Sequence, residues 1–250
     1  MILFYNYMLK MADRESNNLA VLFEDNIGNV KQERRKGKKG RKMNEKEIYY
    51  EYREEIDAMS IKSIDTYFQH YYEKDPMDSF SEPATISGVI INKRIQRMGQ
   101  DRFINIITID DSTHRLEIII YPDVFEKYRS LIKENELLFI SGIIAMDDYN
   151  GDLSMKASKI IDLDSARQKY SKEVEIFLSS ELINDKTLLK IISLLEPHKN
   201  GKCPLVIKCL SHKHIVPLNL DQEWFVNPTS LLINNLSDLL GKENIVVKYH

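Results

Sequence analysis

The sequence predicts a mixed α/β protein: a β-rich five-stranded barrel, then a small α+β domain, with helices and a polar basic linker ahead of both. Three observations carry this. Between residues 84 and 163, apolar and polar residues alternate in successive short runs, interrupted once by a run of helical period. Residues 164–250 give the order β-α-β-β-α-β. Upstream, Lys31-Gln-Glu-Arg-Arg-Lys-Gly-Lys-Lys-Gly-Arg-Lys42 has almost no apolar side chains, so burial cannot offset the entropy of ordering it.

Taken in order, residues 1–46 read as a flexible segment. The opening Met1-Ile-Leu-Phe-Tyr-Asn-Tyr-Met-Leu9 is apolar but too short to span a bilayer, and it runs into Lys10 rather than a small-residue cleavage site. No membrane association is expected, and the location implied is cytoplasmic. Asn17-Asn-Leu-Ala-Val-Leu-Phe23 is a small apolar cluster in a charged surround, suited either to docking or to packing as a helix turn on its own domain. From 43 to 72, Ile48, Tyr52, Ile56 and Met59, then Ile64, Tyr67, Phe68 and Tyr71, recur at helical spacing. Two helices follow, the second capped by Ser60 or Ser63. Residues 47–83 thus form a helical lead-in.

In the barrel region, Ala84-Thr-Ile-Ser-Gly-Val-Ile-Ile-Asn-Lys-Arg-Ile95, Arg102-Phe-Ile-Asn-Ile-Ile-Thr-Ile109 and Arg115-Leu-Glu-Ile-Ile-Ile-Tyr121 read as three strands in series. The period then changes over 122–133, with Val124, Phe125, Tyr128, Leu131 and Ile132 on one helical face and Pro122 at its start. Strands over 136–146 and 153–161 are joined by Asp147-Asp-Tyr-Asn-Gly-Asp152, whose Asn-Gly pair signals a hairpin. The order β-β-β-α-β-β over 84–163 is that of the Greek-key barrel of the OB type, which binds oligonucleotides across strands 2 and 3 and the 1–2 and 4–5 loops.

After a helical stretch over 164–171, strands are expected at 174–178, 204–210, 215–220 and 245–249, with helices over 186–196 and 228–240. Pro197 and Gly201 end the first of these helices and Gly241 closes the second. A helix-strand unit used twice suits a small split β-α-β layer.

Composition narrows function. At 250 residues and 43% hydrophobic, two ordinary domains can build real cores, while a net charge of −3 means that nucleic-acid affinity must come from local basic clusters. Cys203 and Cys209, the only cysteines, fall on one face of an expected strand as small buried hydrophobes, so no disulfide is expected. With His212 and His214 they offer zinc-ligand types, but the spacing matches no common finger. Asp110-Asp111 and Asp147-Asp148 could hold metal ions for phosphoryl transfer. Each pair sits at a strand end beside turn residues, where Asp bonds the turn backbone, and that reading is preferred. There is no P-loop, no GxSxG and no nucleophile–base arrangement. We therefore expect no catalytic residue, no metal and no cofactor.

The positive signal is the 1–2 loop, Asn92-Lys-Arg-Ile-Gln-Arg-Met-Gly-Gln-Asp-Arg-Phe103. Lys93, Arg94, Arg97 and Arg102, with Phe103, are the mixture of cations and aromatic that holds a single strand by phosphate pairing and base stacking. A solvated hairpin loop is the rival.

Several motifs resemble a known family. Ile86-Ser-Gly-Val-Ile90 with Asn92-Lys-Arg94, Ile109-Asp-Asp-Ser-Thr-His-Arg-Leu-Glu-Ile118, Val124-Phe-Glu-Lys-Tyr128, Leu138-Phe-Ile-Ser-Gly142 and Ile161-Asp-Leu-Asp-Ser-Ala-Arg167 are similar to the OB region of the bacterial replicative DNA polymerase III alpha subunit. Ser193-Leu-Leu-Glu-Pro-His198, Gly201-Lys-Cys-Pro204 and Trp224-Phe-Val-Asn-Pro-Thr229 look like that subunit's C-terminal domain, and Met59-Ser-Ile-Lys-Ser-Ile-Asp-Thr-Tyr67 like a segment ahead of its OB region. The resemblance implies single-stranded template binding by the barrel and docking of residues 164–250 to the clamp loader tau subunit, with Trp224 and Phe225 near the contact. Residues 17–23 fall where the family carries its sliding-clamp peptide; Leu22 and Phe23 match, although its Gln is absent. The family's catalytic domains would lie N-terminal to residue 1. The chain therefore reads as a non-catalytic C-terminal piece, inactive alone as a DNA-directed DNA polymerase, with a separate polymerase core chain as a further partner. On fold alone, the alternative is an RNA-binding OB protein such as an anticodon-binding fragment of a tRNA synthetase.

Overall fold

A computed structural model describes residues 45–74, 80–98, 102–146, 151–210 and 215–250, with the side chains of Glu45 and Arg102 excepted. Leu22, Phe23, the basic run 31–42, Asp147-Asp148, His212 and His214 lie outside the described residues. The described chain divides into two compact units: residues up to Ser171 together with Tyr249–His250, and Lys172–Lys248.

In the first unit, α1 (Glu45–Ala58) and α2 (Ile64–Glu73) precede the barrel strands β1 (Ser81–Met98), β2 (Arg102–Asp110) and β3 (Arg115–Ile120), then α3 (Pro122–Tyr128), β4 (Leu137–Met146), β5 (Leu153–Asp162) and α4 (Leu163–Tyr170). The strands close in the order β1-β2-β3-β5-β4, with β3 and β5 parallel and the other neighbours antiparallel. The alternation seen in sequence now has its cause. Ile107 and Ile109 of β2 and Leu116, Ile118 and Ile120 of β3 point inward, and with Ile86, Ile90, Ile140, Met155 and Ile160 they fill the barrel.

Helix α2 packs its Ile64 and Tyr67 into the same core, which is why the lead-in belongs to the barrel unit. Its cap is Ser63, whose hydroxyl accepts from the Thr66 N–H at 3.4 Å, while Ser60 takes a left-handed φ of 58°. The expected helix over 122–133 ends at Tyr128 and continues as turns, with Asn135 at φ 62°. Helix α4 likewise joins this unit, because Ala166 is fully buried against Ile56, Val89 and Phe139.

The second unit contains β6 (Ser171–Ser179) from Lys172 on, α5 (Asp185–Leu195), β7 (Leu205–Leu210), β8 (Ile215–Asn219), α6 (Ser230–Leu240) and β9 (Ile245–Tyr249) up to Lys248. Its sheet runs β8-β7-β6-β9, with β6 and β7 parallel. Leu188, Ile191 and Leu195 of α5 and Leu232, Leu236 and Leu240 of α6 cover one face, against Val174, Ile176, Leu178, Leu205 and Ile207. Asn184 and Thr229 cap the helices, accepting from the N–H of Thr187 at 3.0 Å and of Leu232 at 3.3 Å. Cys203 and Cys209 are buried in this core, Cys203 just ahead of β7 rather than in it.

Candidate nucleic-acid interface

β1 serves two neighbours in succession. It pairs with β4 up to Val89 and with β2 from Val89 to Met98, and a shift in register between Ile90 and Asn92 marks the handover. Strand therefore continues past the expected end at Ile95 to Met98, and with the start of β2 residues 92–98 make a two-stranded arm. Cross-strand pairing there satisfies backbone groups that a loop would leave to water, and residues 99–101 lie outside the described residues.

That correction splits the predicted cluster. Directly opposed antiparallel residues share a face, and successive residues alternate. Arg94, Gln96 and Met98 stand across from Ile106, Ile104 and Arg102, whereas Lys93, Ile95 and Arg97 stand across from Ile107, Asn105 and Phe103. The first face is the outer wall of the barrel. There Arg94, Gln96 and Met98, with Ile104, Ile106, Glu117, Ile119, Tyr121 and the start of β5 at 152–154, line a groove of about 730 Å³. Lys93, Arg97 and Phe103 lie on the other face of the arm. Phe103 is 54% exposed and Ile95 71%, so Phe103 is not a core residue. Arg102 opens β2 and its side chain lies outside the described residues.

The groove has an apolar floor, with Ile104 and Ile106 buried and Ile119 half-buried, and half-buried Tyr121 on its rim. Arg94 is the one cation among its described lining residues; Glu117 and Asp152 are acidic. The Arg94 guanidinium donates to both Glu117 oxygens at 2.8 and 3.1 Å and to the Gln96 side-chain oxygen at 2.9 Å, with both charged partners 46% exposed.

The Asp110-Asp111 pair is turn chemistry. The Asp110 carboxylate accepts from the Ser112 N–H at 2.7 Å and meets Arg115 at 3.0 Å. Buried Asp111 accepts from the N–H groups of Thr113 and His114 and from the Thr113 hydroxyl, and its other oxygen takes the Ile64 N–H at 2.7 Å, tying the β2–β3 turn to the start of α2. Among the described residues, no group of three or more His, Cys, Asp or Glu could hold a metal ion. No described helix is long and apolar enough to cross a membrane.

In the second unit the family-like motifs zip together. The Gly201 N–H donates to the Phe225 carbonyl at 2.8 Å, Cys203 and Val226 exchange backbone bonds at 2.9 and 3.1 Å, and the Asn227 N–H reaches the His198 carbonyl at 3.2 Å. Trp224, expected near the tau contact, is buried. It is not an exposed interface anchor: only 3% accessible, it packs in the core, its indole N–H donates to Glu223 at 3.0 Å, and the Lys199 ammonium lies 4.0 Å from its ring. Its polar neighbours in sequence hid this, because the 3₁₀ turn at Gln222–Trp224 sends those neighbours outward and the indole inward. Phe225 is half-buried.

Residues 84–163 match the family described as OB-fold nucleic acid binding domain, and residues 190–241 match the DNA polymerase III subunit alpha, C-terminal domain. This chain is a relative of the DNA polymerase III alpha subunit. It is 31% identical over 166 residues to that subunit from Escherichia coli O6:H1, which is 66% of this chain and 14% of the relative. To that of Vibrio cholerae serotype O1 it is 28% identical over 169 residues, 68% of this chain and 15% of the relative. The chain thus spans about a seventh of the length of these alpha subunits. A solved structure of the second single-stranded DNA binding protein from Mycobacterium smegmatis aligns with 34% of this chain and 92% of its own, at 15% identity and a TM-score of 0.30. In this alpha-subunit relative, the stretch 190–241 contains Gly201, Trp224 and Val226, so the motifs that carry the resemblance are those that build the fold of the second unit.

Proposed function

We propose that this alpha-subunit relative serves DNA replication in the cytoplasm as a non-catalytic module. Its barrel binds single-stranded template, and its second unit docks to the clamp loader tau subunit. The observation that carries the first part is the groove on the outer wall of β1, β2 and β3: an apolar floor of isoleucines with Tyr121 at its rim is a surface on which unstacked bases can lie. A strand in the groove passes Arg94 and wraps the edge of the arm to reach Lys93, Arg97 and Phe103, with Arg102 at the arm's tip. The tau part is supported by the family match over 190–241. With Trp224 buried, the docking surface falls to Phe225 and the exposed side of α6. Leu22 and Phe23 are proposed as contacts to the sliding clamp, and a separate chain as the polymerase core.

The test is fluorescence-anisotropy titration of the full chain with a labelled deoxythymidine oligonucleotide, its RNA counterpart and a duplex, over a salt series. Preference for single-stranded DNA, weakened roughly tenfold in Tyr121→Ser, is expected, since one base stack is worth about 1–3 kcal/mol. Equal binding of duplex with no effect of Tyr121→Ser sinks the groove reading, and tighter RNA binding favours an RNA-binding protein. Capture of tau by the full chain, abolished in variants of exposed α6 residues such as Leu231→Glu, tests the docking.

A further inference from the structure

The groove's one described cation is already engaged. Arg94 presents its guanidinium to Glu117 across β2, and Gln96 holds the other end of the fork. A guanidinium fork donates to a carboxylate or a phosphate in the same geometry, so one excludes the other. We infer that Glu117 is a built-in competitor for the phosphates of a strand entering the groove, making contact with the apolar floor and Tyr121, rather than charge, the condition of entry. This rests on the groove reading above and adds to it a determinant of selectivity.

The physical consequence is specific. While Glu117 neutralises Arg94, the guanidinium adds little net positive charge to the groove, so a phosphate arriving there keeps its condensed cation and gains little. It must also displace a carboxylate that then stands next to the phosphate with the same sign of charge. A polyanion with nothing to offer the isoleucine floor gains no foothold, whereas an unstacked single strand does. The pair is half exposed, so it can exchange partners without leaving a buried charge.

The experiment is a cycle of four full-length chains: the parent, Glu117→Gln, Arg94→Ala and the double variant. Each is titrated with the labelled deoxythymidine oligonucleotide, and with inorganic polyphosphate as competitor, over a salt series. Glu117→Gln keeps the shape and an oxygen for Arg94 but removes the charge. It is expected to bind the oligonucleotide roughly tenfold more tightly at low salt, to steepen the log–log salt slope by about 0.7, and to become sensitive to polyphosphate. Arg94→Ala is expected to weaken the Glu117→Gln chain roughly tenfold more than it weakens the parent, erasing the gain. If the parent binds and Glu117→Gln changes neither affinity nor slope, or if Arg94→Ala weakens the parent as much as it weakens Glu117→Gln, the competitor role is wrong and the groove reading survives. If neither the parent nor Glu117→Gln binds, both fall.

Discussion

The Arg167 guanidinium lies against the Glu55 carboxylate at 2.6 and 2.8 Å, joining α4 to α1 across 112 positions of sequence, with their side chains 7% and 19% exposed. Asp164 stands 3.6 Å from the same guanidinium, and the Tyr249 hydroxyl donates to Glu55. Burial alone lowers the Arg167 pKa, but Glu55 outweighs it and holds the arginine more firmly charged. Burial and then the Glu55 charge push the Tyr249 hydroxyl up, so it stays a donor throughout the physiological range.

Removing one partner of a buried pair strands the other. Arg167→Met is expected to destabilise the barrel unit by roughly 3 kcal/mol, and Arg167→Met with Glu55→Leu to recover much of it, because the buried carboxylate is then removed too and the remaining Asp164 is 38% exposed to water. Urea unfolding followed by circular dichroism checks both. A double variant as unstable as the single one contradicts the pairing.

A second charge cluster sets an acid limit. Glu175 of β6 meets Lys208 at 2.6 Å and Lys248 at 2.5 Å. Burial raises its pKa, but the two lysines outweigh that and leave it below the ordinary 4.5. A depressed folded pKa stabilises above the unfolded value and is lost as pH falls from 4.5 through the folded value. Lys248, pushed up to about 12 by Glu175 and Glu173, adds stability below 10.5 that is lost as pH rises towards 12. Urea midpoints measured from pH 2 to 12 should fall at both ends in the parent. In Glu175→Gln both slopes should flatten, the midpoint at neutral pH should be lower, and the two chains should converge near pH 2.

Gly201 is required by a close approach. A Cβ there would stand 2.1 Å from the Val226 carbonyl carbon, inside the backbone pairing that joins 198–203 to 225–227. Gly201→Ala is expected to cost the second unit about 3 kcal/mol, the upper end of overpacking effects. Indole fluorescence of Trp224, which reports this same joint, should shift at lower urea than in the parent; an unchanged midpoint contradicts the close approach.

On the arm, Lys93→Ala with Arg97→Ala is expected to leave stability within about 0.5 kcal/mol and to flatten the salt slope of oligonucleotide binding by about 0.7 for each phosphate that is no longer neutralised. Phe103→Ser, at a position already 54% exposed, should likewise leave the melting temperature unchanged while weakening binding. An unchanged slope in the double variant would remove the arm from the interface.

The sequence by itself determined the order of elements and the barrel, because inward residues such as Ile107, Ile109, Leu116 and Ile118 alternate with polar ones and a period of two is a local property. It also determined the turn bonds of Asp110 and Asp111, since an Asp bonding the turn backbone within three residues needs no distant partner, whereas the bond from Ile64 to Asp111 came only with the packed fold. Tertiary structure decided the rest. That strand continues beyond Ile95 to Met98 depends on pairing with β2, and that pairing sends Arg94 to one face and Lys93, Arg97 and Phe103 to the other. Trp224 sits among polar neighbours in the chain, and only the packed core of the second unit encloses it. Glu55 and Arg167 carry no mark of each other in the chain: burial turns two ordinary charged residues into a pair, and burial is a property of the packed fold, not of the local sequence.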